Sequence, residues 1–158
     1  MALPIPDVTD IVQGGQNRVK VFSKEVTQAP SGTVAFADSD LVTYLSDVGE
    51  AGASRDSQTI SLFHLKQDAK LPGNSNIKDL QITEALTTAQ IAVRKAQYED
   101  GDFIVFGFFD ENDAQLYGCL GFISDWGMTL SNGDVCTLTY TLSLSQDDIV
   151  CTMPSTTP

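Results

Sequence analysis

The sequence has no lysine or arginine after Lys95. Residues 1–95 hold 11 acidic and 9 basic residues, a net charge of −2, and residues 96–158 hold the other 10 acidic residues, a net charge of −10. A surface of that sign cannot neutralise phosphates, which disfavours binding to nucleic acid or to an anionic membrane. Acidity that serves solubility alone is the alternative interpretation of the same numbers.

Residues suited to catalysis are also scarce. His64 is the only imidazole in the chain and has apolar neighbours, so a hydrolase with a nucleophile and a base would depend on this one residue. The glycines match neither a Walker loop nor a dinucleotide-binding fingerprint. We therefore expect no enzymatic activity and no cofactor.

A metal site is not indicated either. Cys119, Cys136 and Cys151 contain no Cys-x-x-Cys pair, and the acidic residues near position 110 lack the spacing of a calcium-binding loop. The first residues do not resemble a secretory signal, so we expect reduced thiols. The longest apolar run, residues 103–109, is too short to cross a bilayer, and no membrane association is expected.

A chain of 158 residues is the size of one domain. We predict a single domain over residues 1–148, with an extended arm at residues 1–12 that contains Pro4 and Pro6. Residues 48–58 have two glycines and little to bury, which predicts a long mobile loop. Residues 149–158 are predicted to form a polar tail.

Most of the remaining chain alternates apolar and polar residues with the period of a β-strand. Residues 103–109 are apolar on both faces, as in a strand between two layers. Residues 135–145 alternate strictly, with Thr137, Thr139 and Thr141 on the polar side, after an Asn-Gly pair that favours a hairpin turn. The predicted strands are residues 18–26, 33–37, 40–47, 59–65, 79–84, 103–109, 116–124 and 135–145.

One helix is predicted at residues 88–98. Ala89, Ala92, Val93 and Ala96 fall at the spacing of one narrow apolar face, which we expect to pack against a sheet. A threonine can cap its start, and Gly101 follows its end. The fold class is thus mainly β, an antiparallel β-sandwich or barrel with one flanking α-helix.

From residue 33 to residue 148 the order of elements resembles the major tail tube proteins of long-tailed bacteriophages. The resemblance rests on the Gly32-Thr33-Val34 start, the long loop ending in residues 55–59, the strand and helix over residues 80–96, and the apolar strand with its acidic turn at residues 103–113. It ends with a Ser-x-Trp segment at Trp126 and the glycine turn and Thr/Ser-rich strand of residues 133–145. It covers most of the chain and contains no catalytic motif.

The resemblance implies a subunit that joins its sheet to those of five copies around a lumen, in rings that stack into a tube for DNA ejection. It implies contacts between stacked rings by residues 1–12 and by an assembly loop that contains Val48, Glu50, Arg55 and Asp56. The implied partners are the chain itself, a tape-measure protein, a tail terminator and baseplate or tip proteins. The implied location is the virion tail, after synthesis in the bacterial cytoplasm.

DNA that passes through a tube must not adhere to its wall, and acidic or hydroxyl-bearing side chains offer no phosphate ligands. We therefore predict that Asp110, Glu111, Asp113, Thr137, Thr139 and Thr141 line the lumen and that Trp126 lies at a subunit contact. Three other interpretations stay open. They are a monomeric β-sandwich binding module, for carbohydrate, that uses Trp126 and Tyr117; a tail terminator; and a tube protein of a secretion system.

Overall fold

The computed structural model describes residues 19–28, 30–61, 66–67 and 69–154. They form ten strands, one α-helix and a short 3-10 helix at Asp38–Asp40. The strands are β1 (Lys20–Val26), β2 (Val34–Ala35), β3 (Leu45–Val48), β4 (Ala53–Ile60), β5 (Ala69–Ile77), β6 (Leu80–Ala85), β7 (Phe103–Phe109), β8 (Gln115–Thr129), β9 (Thr137–Gln146) and β10 (Cys151–Thr152), and the helix is α1 (Thr88–Asp100).

Six strands form the main sheet, in the order β1-β7-β8-β9-β6-β3, and every neighbouring pair is antiparallel. β10 pairs with β2 in parallel, and β4 pairs with β5 as a separate hairpin. The prediction of a mainly β, antiparallel fold with one flanking helix is confirmed.

The sheet has a core on each face. On one face, β6, β7 and β9 bury alternate residues such as Ile82, Phe106 and Tyr140 under α1, and we call this core 1. On the opposite face of β1, β7 and β8, the segments around β2 and β10 cover a second cluster, core 2, which contains Val105 and Phe109. β7 is therefore buried on both faces, as its unbroken apolar run predicts.

α1 begins and ends as expected but presents a different face. Thr87 caps it by accepting a hydrogen bond from the Gln90 amide, and Gly101 ends it in the left-handed conformation. The residues predicted to anchor it, Ala89, Ala92, Val93 and Ala96, are exposed, and Arg94 and Gln97 are buried in their place. The prediction of an inward apolar face is wrong, because Glu84 of β6 is fully buried and the helix supplies its counter-charge.

Two further segments differ from expectation. The predicted loop at residues 48–58 contains most of β4. Residues 67–76, which belong to none of the predicted strands, contain most of β5, because the two segments pair with each other. The predicted polar tail begins with Ile149 and Cys151, which are buried in core 2. The predicted arm at residues 1–12, His64 and the end of the tail, residues 155–158, lie outside the described residues.

Candidate functional site

Strand register builds a polar surface on β6, β9 and β8, on the side opposite core 1. Thr139 lies directly between Thr83 and Gly127, with Thr141 and Thr137 on either side of it in the same strand. Directly paired residues project to the same face of a sheet. The residues that pair with these threonines on the adjacent strands therefore lie on the same face as the threonines. We call this surface the hydroxyl face; it consists of Asp47, Gln81, Thr83, Ala85, Asp125, Gly127, Thr129, Thr137, Thr139 and Thr141.

The hydroxyl face is neutral to acidic. Its two charged residues are Asp47 and Asp125, and its members include no lysine or arginine. The hydroxyl groups of Thr83 and Thr139 lie 3.4 Å apart and form a hydrogen bond. The surface around Asp125 and Thr139 is a shallow depression of about 230 Å³, and a Cβ atom at Gly127 would meet no atom within 4 Å. The face is therefore open in the isolated subunit.

The structure does not place the acidic turn beside these threonines. Asp110, Glu111 and Asp113 lie in the turn between β7 and β8, next to Gln115. Thr137 pairs with Thr129 at the other end of β8, about 45 Å away along the strand at about 3.3 Å per residue. The two halves of the predicted lumen set are therefore separate surfaces.

Two carboxylates of the acidic turn form hydrogen bonds or an ion pair within the domain. The Asp110 carboxylate accepts hydrogen bonds from the amides of Asn112 and Ala114, both at 2.9 Å. Asp113 forms an ion pair with Lys20 at 2.7 Å and adopts a left-handed conformation with φ of 65°. Among the described residues, no group of three His, Cys, Asp or Glu side chains is placed to hold a metal ion.

The four predicted assembly-loop residues lie on two different elements. Val48 is half-buried against core 1 at the end of β3. Glu50 lies just beyond and forms an ion pair with Lys78, which holds the pKa of its carboxyl below the usual value. Arg55 and Asp56 are exposed in β4.

The β4–β5 hairpin projects from the domain. Every residue of β4 is exposed, and among the strands of the described residues it pairs with β5 alone. A bulge interrupts the register between Arg55 and Ser57, where Gly73 passes close to the opposite strand. A Cβ atom at Gly73 would lie 2.7 Å from the Asp56 carbonyl oxygen, so the bulge requires glycine.

The two aromatic residues of the binding-module interpretation do not form one surface. Trp126 is half-buried, packs against core 1 and pairs with Tyr140. Tyr117 lies nine residues earlier on β8, about 30 Å along the strand, and its ring packs near that of Phe108. Burial raises the pKa of Tyr117 to about 12. A stacking platform that combines the two rings is absent from this arrangement.

A buried polar network joins α1 to the sheet. The Arg94 guanidinium donates to both carboxylate oxygens of Glu84, at 3.4 and 3.3 Å, and to Gln97 at 2.9 Å. Gln97 donates in turn to Glu25 of β1 at 2.8 Å. The guanidinium also lies 4.9 Å from the centre of the Tyr140 ring. Sequence reasoning missed this network, although Glu84 continues the inward alternation of Leu80 and Ile82.

No helix of the described part of the chain has the length and apolar character that crossing a membrane requires. The described residues form a curled antiparallel sheet with one flanking helix, and tail tube proteins are among the solved structures that share this fold.

Solved tube assemblies contain similar chains. One belongs to the cryo-EM structure of an extracellular contractile injection system, the PVC sheath–tube complex in its extended state, with a TM-score of 0.56 and 10% identity over 89% of this chain and 93% of that chain. Another belongs to the PVC sheath/tube terminator, with a TM-score of 0.55 and 12% identity over 92% and 96% of the two chains. The SPP1 tail tube has a TM-score of 0.51 and 17% identity over 84% and 76%.

Sequence comparisons add no relative. No protein-family model matches the chain, and no curated protein matches it either. The structural likenesses show a fold shared at low sequence identity.

Proposed function

We propose that this chain is a structural tube protein without enzymatic activity, which assembles into six-membered rings that stack into a bacteriophage tail tube. The likeness to chains of tube assemblies supports the fold on which the proposal depends. The observation that carries it is the β4–β5 hairpin, a long ribbon that pairs with no other strand of the described residues and whose β4 strand is exposed along its whole length.

The hairpin needs a partner for a physical reason. A two-stranded ribbon is at best marginally stable in water, and this one exposes Ile60 and Leu71. Packing against the next ring would bury those side chains and order both strands. Arg55 and Asp56 lie on β4 within this contact and would give it charge specificity.

The ring contact is assigned to the edges of the main sheet. β1 and β3 are its two outer strands. The Leu41–Phe22 bridge and the hydrogen bond from the Val42 amide to the Val21 carbonyl cover the first part of the β1 edge. An edge left free, as in the rest of β1 and along β3, offers unpaired amide and carbonyl groups to another chain. Joining β1 of one copy to β3 of the next would extend the sheet around a closed ring. The hydroxyl face, which starts at β3, would then line a continuous channel.

The channel would pass DNA without holding it. The hydroxyl face offers threonines and two carboxylates to the phosphates and no cation. The partners of the protein in the tail would be other copies of the chain, a tape-measure protein, a terminator and baseplate or tip proteins. The protein would be made in the cytoplasm of the host bacterium and function in the virion tail.

Negative-stain electron microscopy of the concentrated full chain tests the proposal. We expect rings and stacked tubes with a central channel. A matched variant replaces residues 54–76 with a short Gly/Ser linker and leaves the six-stranded sheet intact. We expect this variant to form rings that do not stack.

The outcomes separate the proposal from its competitors. Rings of the full chain that never stack would favour a terminator, a candidate supported by the likeness to the PVC sheath/tube terminator. A full chain that stays monomeric at every concentration, while its circular dichroism shows a folded β protein, would contradict assembly and favour the binding-module interpretation.

A further inference from the structure

The connection between β8 and β9 contains Asn132 followed by Gly133, a pair that the proposed function does not use. The base of this connection is fixed, because the Ser131 amide donates to Cys136 Sγ at 3.4 Å and the Leu86 amide donates to the Cys136 carbonyl at 3.0 Å. Residues 132–135 between these anchors are all exposed. The tip is thus open to water on a firmly attached base.

The asparagines of the described residues differ in the backbone on their C-terminal side. Asn74 and Asn76 lie in β5, and the residues after them, Ser75 and Ile77, pair with β4. Asn112 lies in an exposed turn, but the next amide, that of Asp113, donates to the Asp110 carbonyl at 3.1 Å. In all three cases the next residue is engaged in structure.

Asn132 is different. Neither its side chain nor the Gly133 amide has a hydrogen-bond partner among the described residues. Gly133 has φ of 100°, in the left-handed region that favours glycine, and it carries no Cβ atom to shield its own nitrogen. An unengaged amide nitrogen therefore follows an exposed carboxamide.

We propose that Asn132 is the site of a covalent modification, spontaneous deamidation through a cyclic imide. The Gly133 nitrogen attacks Asn132 Cγ, the new C–N bond closes a five-membered ring, and the side-chain nitrogen leaves as ammonia with the proton that Gly133 loses. Water then adds to either imide carbonyl and opens the ring, which yields aspartate or isoaspartate. No electrons are transferred, and water is the co-reactant.

The modification would change the tip of the β8–β9 connection. The product adds a carboxylate two residues before Asp134, in the stretch between Leu130 and Val135, which are 71% and 75% exposed. The isoaspartate product also inserts a methylene group into the backbone. The tip, which already carries Asp134, would thereby gain a second carboxylate as the protein ages.

Peptide mapping by mass spectrometry of the full chain, incubated in mildly alkaline buffer, tests the proposal. Isoaspartyl methyltransferase labelling reports the second product. We expect conversion at Asn132 to be several-fold faster than at Asn112, Asn74 or Asn76 in the same sample. Conversion at Asn132 that is no faster than at Asn112 would overturn the proposal.

Two variants test the mechanism. Asn132→Gln keeps the amide but requires a six-membered ring, and Gly133→Ala places a methyl group beside the attacking nitrogen. We expect each to slow conversion at position 132 several-fold, with Asn112 in the same chain as the internal reference. Unchanged rates in both variants, with circular dichroism like that of the parent chain, would exclude attack by the Gly133 amide.

Discussion

Glu84 is a fully buried carboxylate on a strand face that is otherwise apolar, and Arg94 is its only cationic hydrogen-bond partner among the described residues. A buried charge without its partner is far more costly than the intact pair. The guanidinium also packs over Tyr140 and Phe106, so that its removal leaves a space against two rings.

We predict that Arg94→Met lowers the free energy of unfolding by about 3 kcal/mol or more, the usual cost of breaking a buried pair. Urea denaturation at a concentration where the protein is monomeric measures it. Lys95→Met is the matched control on the same helix, because Lys95 is exposed and lies 4.0 Å from Glu99, and we expect a change of about 0.5 kcal/mol or less. Equal losses in the two variants would show that Arg94 is not a buried partner.

The three thiols differ in surroundings. Burial raises the pKa of Cys119 to about 12 and that of Cys151 to about 11, whereas Cys136 is half-buried at the base of an exposed tip. Because the thiolate is the reactive form, we predict that iodoacetamide at pH 8 modifies Cys136 first and the other two only on unfolding. Mass spectrometry after timed quenching measures the three rates. Labelling of Cys119 as fast as Cys136 in the native chain would refute this, and the same reaction in denaturant is the control.

At the scale of elements, the β4–β5 hairpin depends on one close approach. Gly73→Ala places a Cβ atom 2.7 Å from a backbone oxygen of the opposite strand, so we expect the bulge to open. In assembled tubes, where the next ring orders the ribbon, hydrogen exchange followed by mass spectrometry should show lost protection over β4 and β5 and unchanged protection over β6 to β9. Gly32→Ala is the control, because a Cβ atom there meets nothing within 4 Å. Protection that stays intact in Gly73→Ala would contradict the close approach.

The sequence predicts the elements whose own pattern decides their structure. β7 and β9 follow from an unbroken apolar run and a strict alternation, and both ends of α1 follow from Thr87 and Gly101. The β4 and β5 segments carry polar residues on both faces, so only their mutual pairing makes them strands. The buried face of α1 is likewise decided by Glu84, a residue on another element.

The sequence likewise predicts some residues of the hydroxyl face and not others. The threonines of β9 are predicted on one polar face because a strand alternates. Their neighbours Asp125, Thr83 and Asp47 come from three other strands, and only register brings them there. The prediction grouped the acidic turn with these threonines because neither offers ligands to phosphate, but β8 separates the two by most of its 15 residues.

At the scale of the whole molecule, cysteine labelling can identify the surface that faces the channel of the proposed tube. Single cysteines at Thr139 and at Glu111 in a Cys136→Ser chain mark the hydroxyl face and the acidic turn. A small maleimide can enter a channel from its ends, and a maleimide attached to a protein too wide for the channel cannot. In assembled tubes we predict that Thr139→Cys reacts with the small reagent alone and Glu111→Cys with both.

DNA retention by charged variants is a second test of which surface lines the channel. Phosphate binding needs cations, and each neutralised phosphate contributes a salt-dependent increment to affinity. We predict that tubes of Thr139→Arg retain DNA at low salt and release it as salt rises, because each ring then places one guanidinium per subunit on the channel wall. Glu111→Arg, a larger change in net charge on the acidic turn, should retain less if that turn lies outside the channel. Co-sedimentation of DNA with the tubes measures retention. If retention follows net charge, so that Glu111→Arg retains more DNA than Thr139→Arg, the hydroxyl face does not line the channel. The acidity of this chain would then have no role in DNA passage.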